Sequence, residues 1–187
     1  MGLMGELART LTSLSGPDAV HGIIPKALVR YEQSSPQPQN DHHQQQQGTK
    51  MGNGDQELLL PDPQIFGHTT LVSSMHERKQ LMTELVLQGG PGSGFIALPG
   101  GYGTLEELAE VTTWNQLGIH GLGIVVFDVD GFWTPLRGWV DDAVGKGFIS
   151  EGNRGIVRWA ADAEGCLREL REYTVGSGRF DLDWEAR

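Results

Sequence analysis

The stretch Phe95-Ile-Ala-Leu-Pro-Gly-Gly-Tyr-Gly-Thr-Leu-Glu-Glu107 decides how the chain reads. Its first four residues form a short apolar run of the kind found in a buried parallel strand. Pro99, Gly100, Gly101 and Gly103 interrupt that run, and a helix is expected from Thr104 to about Leu117. Glycines between a strand and a helix let bare backbone approach a ligand. The helix start adds unpaired N–H groups and the positive end of a dipole. Together they make an anion site, most simply one for phosphate. The stretch is neither a P-loop, since no Gly-Lys-Ser/Thr follows, nor a dinucleotide fingerprint. The plainer reading, a tight turn with Thr104 as a cap, stays open.

Outward from this stretch, strand and helix patterns take turns. Strands are expected at 19–24, 68–72, 95–98, 122–127 and 156–160. Helices are expected at 2–14, 25–29, 75–87, 104–117, 135–144 and 163–173, with Ser74 as the N-cap of the third. Such alternation implies an α/β fold, a doubly wound parallel sheet with helices on both faces. The chain opens inside a helix, whereas a doubly wound domain normally starts with a strand and a Gly-rich turn. The first β-α-β unit is therefore expected to be missing from this chain. Residues 33–64 are rich in Gln, Ser, Pro and His and hold few large apolar side chains, so they are expected to form a disordered insert. The reading is a single domain over 1–175, interrupted by that insert, with a loose tail at 176–187. His42 and His43 beside the Gln run read as low-complexity loop rather than a metal site, because no Cys or carboxylate cluster joins them.

Composition narrows the function. The 187 residues carry 14 Lys and Arg against 24 Asp and Glu, a net charge of −10, which disfavours a nucleic-acid partner. No apolar run is long enough for a membrane span, and no signal-peptide pattern opens the chain. The single cysteine, Cys166, excludes an internal disulfide framework and suits a reducing, cytoplasmic setting. Glycine is in excess, 27 of 187 residues, without a collagen period.

Two charged side chains sit where apolar ones are expected. On the helix after the Gly turn, Glu107 falls inside the apolar arc of Leu108, Val111 and Trp114, while Glu106 and Glu110 lie off it. A carboxylate there needs a partner or a task. On the helix Met75–Leu87, Arg78 falls between Leu85 and Met82, with Lys79 at the edge of the stripe and His76 on the polar side. An Arg so placed needs an anion to face, or snorkels from the edge. Glu32 is a weaker candidate for a second carboxylate, and Thr113 reads as helix. Trp133, Trp139 and Trp159 read as core or interface. No Ser-His-Asp spacing, metal-ligand cluster or nucleophile elbow is present.

These motifs resemble the Lonely Guy (LOG) family, the cytokinin-activating phosphoribohydrolases. The resemblance rests on Met75, His76, Arg78 and Lys79, and on Pro-Gly-Gly-x-Gly-Thr-x-x-Glu from Pro99 to Glu107. It extends to Gly2-Leu-Met-Gly5, His21-Gly-Ile-Ile-Pro25, Thr113-Trp-Asn-Gln-Leu-Gly-Ile-His120 and Gly147-Phe-Ile149, and so covers most of the chain outside the insert. The insert and the loop Gly89–Gly94 look like those of fungal members. The resemblance implies a Rossmann-like fold, usually a homodimer. It implies hydrolysis of the N-glycosidic bond of a cytokinin riboside 5′-monophosphate to free base and ribose 5-phosphate, with no metal or organic cofactor. It implies catalytic roles for Arg78 and Glu107, and substrate contacts from Glu32, Met75, Arg78, Lys79, Pro99, Gly100, Gly101, Tyr102, Gly103, Thr104, Glu106 and Thr113. Family proteins have been labelled lysine decarboxylases, but nothing in the sequence suggests a pyridoxal phosphate site. Members carry a strand, a Cys-Gly-Ser-Ser-like loop and a Gly-Gly-Gly turn ahead of Gly-Leu-Met-Gly, which this sequence does not show before Gly2. The alternatives are a binding module that does not hydrolyse and a truncated, inactive copy.

Overall fold

The computed structural model describes residues 2–29, 50–51, 58–182 and 184. The chain forms two compact units, Met1–Met82 and Thr83–Arg187. The fold is α/β and Rossmann-like, with parallel sheets flanked by helices.

In the first unit, α1 (Gly2–Ser15) leads through a 3₁₀ turn at Pro17–Ala19 into β1 (His21–Pro25), and residues 26–29 are helical. Pro25, expected in the first turn of that helix, instead ends the strand. A two-residue antiparallel ladder joins β2 (Lys50–Met51) to β3 (Leu58–Leu59). It is followed by α2 (Pro63–Phe66), whose N-cap Asp62 accepts a hydrogen bond from the Gln64 N–H at 2.9 Å. These residues fall at the end of the stretch read as an insert; most of that stretch, His42 and His43 included, lies outside the described residues, as does Glu32. Next, β4 (His68–Val72) pairs in parallel with β1, His21 opposite His68 and Pro25 opposite Val72. Helix α3 (Met75–Leu87) follows. On α1, Leu3, Met4, Leu7, Leu11 and Leu14 form one exposed apolar stripe.

The second unit is built around a three-stranded parallel ladder in the order β5 (Gly94–Ala97), β6 (Gly123–Phe127), β7 (Val157–Ala160). Between the strands lie α4 (Tyr102–Gln116) and α5 (Thr134–Gly145), and α6 (Ala163–Arg171) closes the unit. β6 is the central strand, and Ile124, Val125 and Val126 expose no surface. Its alternating side chains feed two cores. Ile124 and Val126 pack with Leu108 and Val111 of α4, with Trp133 and with Ile156. Val125 packs on the opposite face with Ala160 and with Cys166 and Leu170 of α6. The sequence leads one to expect the run Phe95–Leu98 to be buried like β6. Among the described residues β5 is instead an end strand, with Ile96 40% exposed, because a strand with one neighbour is covered on fewer sides.

A close approach at the start of the ladder fixes two glycines. Gly94 pairs with Gly123, and a Cβ on Gly94 would lie 2.5 Å from the Gly123 carbonyl oxygen and 2.6 Å from Leu170 Cδ2. Gly94→Ala is expected to cost about 2–3 kcal/mol through overpacking, read as a lower midpoint in urea unfolding with an unchanged slope; an unaltered midpoint would show that the contact is slack.

The loop after α4 is held by buried polar side chains. Asn115, fully buried, donates from Nδ2 to the Leu122 carbonyl at 3.0 Å. His120, 3% exposed, donates from Nε2 to the Val111 carbonyl at 2.9 Å, while its Nδ1 accepts the Leu122 N–H at 3.2 Å. Both ring nitrogens are used by the neutral form, and burial, helped by nearby Arg179, pushes the His120 pKa down. The unfolded chain therefore binds a proton more readily than the folded one. The stability this site contributes is present above the ordinary value of 6.5 and is lost as pH falls from there through the depressed folded value. His120→Ala is expected to cost roughly 2–4 kcal/mol at neutral pH and to flatten this acid limb, measured as unfolding free energy at pH 7 and at pH 5.

Candidate functional site

The glycine turn leaves the C-terminal end of β5, the edge at which open parallel sheets take their ligands. Helix α4 starts at Tyr102, two residues earlier than expected, with Gly101 as its N-cap and no side chain capping it. The first intrahelical bond runs from the Leu105 N–H to the Gly101 carbonyl at 3.1 Å. The N–H groups of Tyr102, Gly103 and Thr104 precede it, so the helix start presents donors and the dipole's positive end to whatever lies above the turn.

The three glycines of the turn are needed for different reasons. A Cβ on Gly100 would run into the Thr104 side chain, so this glycine lets the turn close on the threonine. A Cβ added to Gly101 or Gly103 would meet nothing within 4 Å, and neither residue has a positive φ. Neither packing inside the protein nor backbone strain accounts for them. Open space above bare backbone is what a bound anion requires.

One turn along α4, Glu107 is half-buried beside Leu108, which is 6% exposed, and Glu106 is exposed. Pro99, Gly100, Gly101, Gly103, Thr104 and Glu107 thus share one turn and the first helical turn after it, with Tyr102 projecting outward at 94% exposure. Thr113 is not part of this group. It lies nine residues along the helix from Thr104, a rise of about 13 Å, and its hydroxyl donates to the Ala109 carbonyl at 2.8 Å.

Met75, Arg78 and Lys79 stand on the first turns of α3, in the other unit. The start of this helix is capped as expected: Ser74 Oγ accepts the Glu77 N–H at 3.2 Å. Glu77 in turn accepts from the Ser73 hydroxyl and N–H, each at 2.6 Å, and these bonds hold its carboxyl below the ordinary range. Arg78 is half-buried, and its Nε donates to the Ile23 carbonyl at 3.1 Å. One of its donors is thus taken by a backbone oxygen of β1. Burial on this helix departs from its apolar stripe: Thr83 is buried, whereas Leu85, expected within the stripe, is 37% exposed.

A second turn on the same edge of the ladder is absent from the candidates that the sequence offers. After β6, Asp128 Oδ1 accepts the Trp133 N–H at 2.6 Å and Oδ2 accepts the Thr134 hydroxyl at 3.2 Å. Between them Asp130 has φ 50 and Gly131 φ 75. The Asp130-Gly131 pair directly after a buried strand carries the signal for such a turn. Trp133 then joins the core beside Leu108, which ties this turn to the first part of α4.

Among the described residues no group of three or more His, Cys, Asp or Glu could hold a metal, and no helix is long and apolar enough to cross a membrane. Burial, with Asp162 nearby, pushes the Cys166 thiol up, which keeps it protonated rather than nucleophilic.

Fold and turn together define an α/β Rossmann-like protein with a glycine turn between the end of a parallel strand and the start of a helix. Residues 4–170 match the family described as possible lysine decarboxylase. The chain belongs to this family, the LOG family of its motifs. It is 48% identical over 185 residues to the cytokinin riboside 5′-monophosphate phosphoribohydrolase LOG of Oryza sativa subsp. japonica, covering 99% of this chain and 61% of that protein. It is 43% identical over 183 residues to a bifunctional cytokinin biosynthesis protein of Fusarium pseudograminearum, 98% of this chain and 34% of that protein. With the Arabidopsis thaliana phosphoribohydrolase LOG2 it shares 36% over 173 residues, 92% of this chain and 64% of that protein. The chain thus spans between about a third and two thirds of these relatives' lengths.

The open glycines give a sharp test. Gly103→Ala is expected to leave the melting temperature unchanged or raise it slightly, since Ala favours a helix by up to about 1 kcal/mol. It is also expected to weaken phosphate or nucleotide binding at least about tenfold by filling the space above the turn. Calorimetric titration beside a thermal melt reads both; unchanged binding would return the turn to a purely structural role.

Proposed function

We propose that the chain hydrolyses the N-glycosidic bond of a cytokinin riboside 5′-monophosphate, or of a related AMP-like nucleotide. Water's oxygen joins C1′ of the ribose, its proton goes to the departing base, and the products are free base and ribose 5-phosphate. The observation that carries this reading is the turn whose Gly101 and Gly103 are open above their backbone at the start of α4. The relatives' names give it its substrate.

In this reading the N–H groups of the turn and the Thr104 hydroxyl take the 5′-phosphate. Glu107, one helical turn on, faces the ribose, where bond cleavage develops oxocarbenium charge; its carboxylate stabilises that charge or orients the attacking water. Arg78, already held through Nε by the Ile23 carbonyl, orients the nucleotide or polarises the leaving base. Met75, Lys79, Glu32, Tyr102, Glu106 and Thr113 complete the expected substrate contacts. Neither a cofactor nor decarboxylation of lysine is part of this scheme. A homodimer in the cytoplasm belongs to the same reading. The exposed stripe of α1 is one apolar surface that association would cover, and a lone buried Cys166 suits a reducing compartment.

The purified chain, incubated with AMP and with a cytokinin riboside 5′-monophosphate, is expected to release base detectable by chromatography. Glu107→Gln is expected to lower kcat/KM by about 100-fold or more while leaving the melting temperature within a degree or two. Nucleotide that protects against melting while no base is released would make the chain a binding module instead.

A further inference from the structure

The glycine turn lies where the parallel strands of the second unit end; a separate concavity lies where β7 begins. Arg154 and Gly155 lead into the strand at Val157. Together with Arg137 and Asp141 of α5, Arg158 and Trp159 of β7 and Glu169 of α6 they line a cavity of ≈ 270 Å³. Because β5, β6 and β7 are parallel, this is the opposite end of the ladder from the turn after Ala97.

The charges here are arranged unequally. Arg154 is already neutralised and fixed: its Nη2 meets Asp141 Oδ1 at 2.8 Å and its Nη1 meets Glu151 Oε1 at 3.2 Å. Arg158 is not. Its guanidinium carbon lies 5.8 Å from the centre of the Tyr173 ring, and its Nε is buried without an acceptor. A buried donor left unpaired is a standing cost, and the guanidinium carries no carboxylate partner among the described residues. Arg137 has no carboxylate partner among the described residues. Arg137 and Arg158 therefore stand at this concavity with one carboxylate, Glu169, that has no ion-pair partner among the described residues, while Asp141 and Glu151 are engaged by Arg154. The volume is just below the roughly 300–1,000 Å³ of drug-sized sites, and planar guanidinium forks match the oxygens of a phosphate.

We propose that this cavity is a second anion site, which takes a compact phosphate group through Arg137 and Arg158 and is separate from the glycine turn. The phosphate arrives either as the inorganic ion or on a small sugar. In the second case Glu169 accepts a sugar hydroxyl and the face of Trp159 covers the ring.

The test is calorimetric titration of the full chain with inorganic phosphate and, separately, with ribose 5-phosphate. Wild-type protein is expected to show two sites per chain. The double variant Arg137→Gln/Arg158→Gln is expected to keep one, with affinity at the other falling at least about tenfold. Arg137→Gln alone is the second variant, because that side chain is exposed and its loss leaves the core intact; it is expected to weaken the same site by a smaller factor. Tighter binding of ribose 5-phosphate at this site identifies the sugar ester, and equal affinity identifies the inorganic ion. Wild-type protein with no site that the double variant loses, whether it shows one site or two, overturns the proposal. Base release by the wild-type chain is followed in parallel, so that loss of the glycosidic reading and loss of this site are seen separately.

Discussion

Burial of β6 on both faces is the constraint from which the second unit follows. Ile124, Val125 and Val126 expose nothing, so this strand needs a hydrogen-bonded neighbour on each edge and a helix layer on each face. Parallel neighbours cannot be joined by tight hairpins, so each connection must cross over, and α4 and α5 are those crossovers. Every turn that leaves a strand at its C-terminal end is then delivered to the same edge of the ladder. The turn after Ala97 and the one after Phe127 lie side by side for that reason, not because of any local attraction between them. Trp133 strengthens the arrangement by packing beside Leu108, one residue past Glu107.

Helix α4 couples this scaffold to the site in an asymmetric way. Carbonyls at its C-terminal end are met by protein donors. The Phe180 N–H donates to Gln116 at 2.8 Å, Arg179 Nη2 donates to Gly118 at 2.7 Å, and Trp184 Nε1 donates to Leu117 at 3.1 Å. Residues 179, 180 and 184, which the sequence marks only as part of a tail, thus cap this helix end. At the other end no side chain caps Gly101. The negative end of the dipole is neutralised by protein donors, while the positive end stays available. That local field would let a chain of net charge −10 take an anion at the proposed site. Charges more than about 8 Å away are largely screened at physiological salt, whereas the first-turn amides would touch the anion.

What the sequence makes legible is whatever periodicity and punctuation encode. The five strands of the two parallel ladders and their flanking helices are readable to within a few residues, because apolar runs, glycines and caps such as Ser74 mark them. The side chains that lock loops are not. Asn115 and His120 belong to a recognisable motif, yet nothing in one sequence says that both His120 nitrogens are consumed by backbone groups nine and two residues away. Asp128 looks like any surface acid until its two oxygens meet Trp133 and Thr134. Helix α3 defeats the helical wheel for a related reason. Its apolar and polar residues are weakly segregated, and burial of Thr83 in place of Leu85 is decided by packing that a wheel does not contain.

Glycine illustrates the same limit and also shows how three-dimensional structure overcomes it. A count of 27 says only that backbone is being used in unusual ways. Gly94 is needed because Leu170 and the Gly123 carbonyl leave no room for a methyl group, and Gly67 because its φ of 76 lies in the left-handed region. Gly101 and Gly103 satisfy neither condition. A helix start would be more stable with Ala at position 103, so the protein forgoes local stability there with no internal contact in return. An unexplained glycine in ordinary backbone geometry, with open space above it and unpaired amides beside it, therefore points to something outside the protein. Along α4 that argument extends to Glu107. A carboxylate three residues past Thr104 has risen only about 4–5 Å along the helix axis, a separation comparable with that between the phosphate of a ribose 5-phosphate unit and its sugar ring. In the proposed reading the spacing of Gly-x-Gly-Thr-x-x-Glu has a geometric meaning: the turn that would take the phosphate and the half-buried carboxylate are set one helical turn apart, the interval between a sugar phosphate's anionic group and its ring.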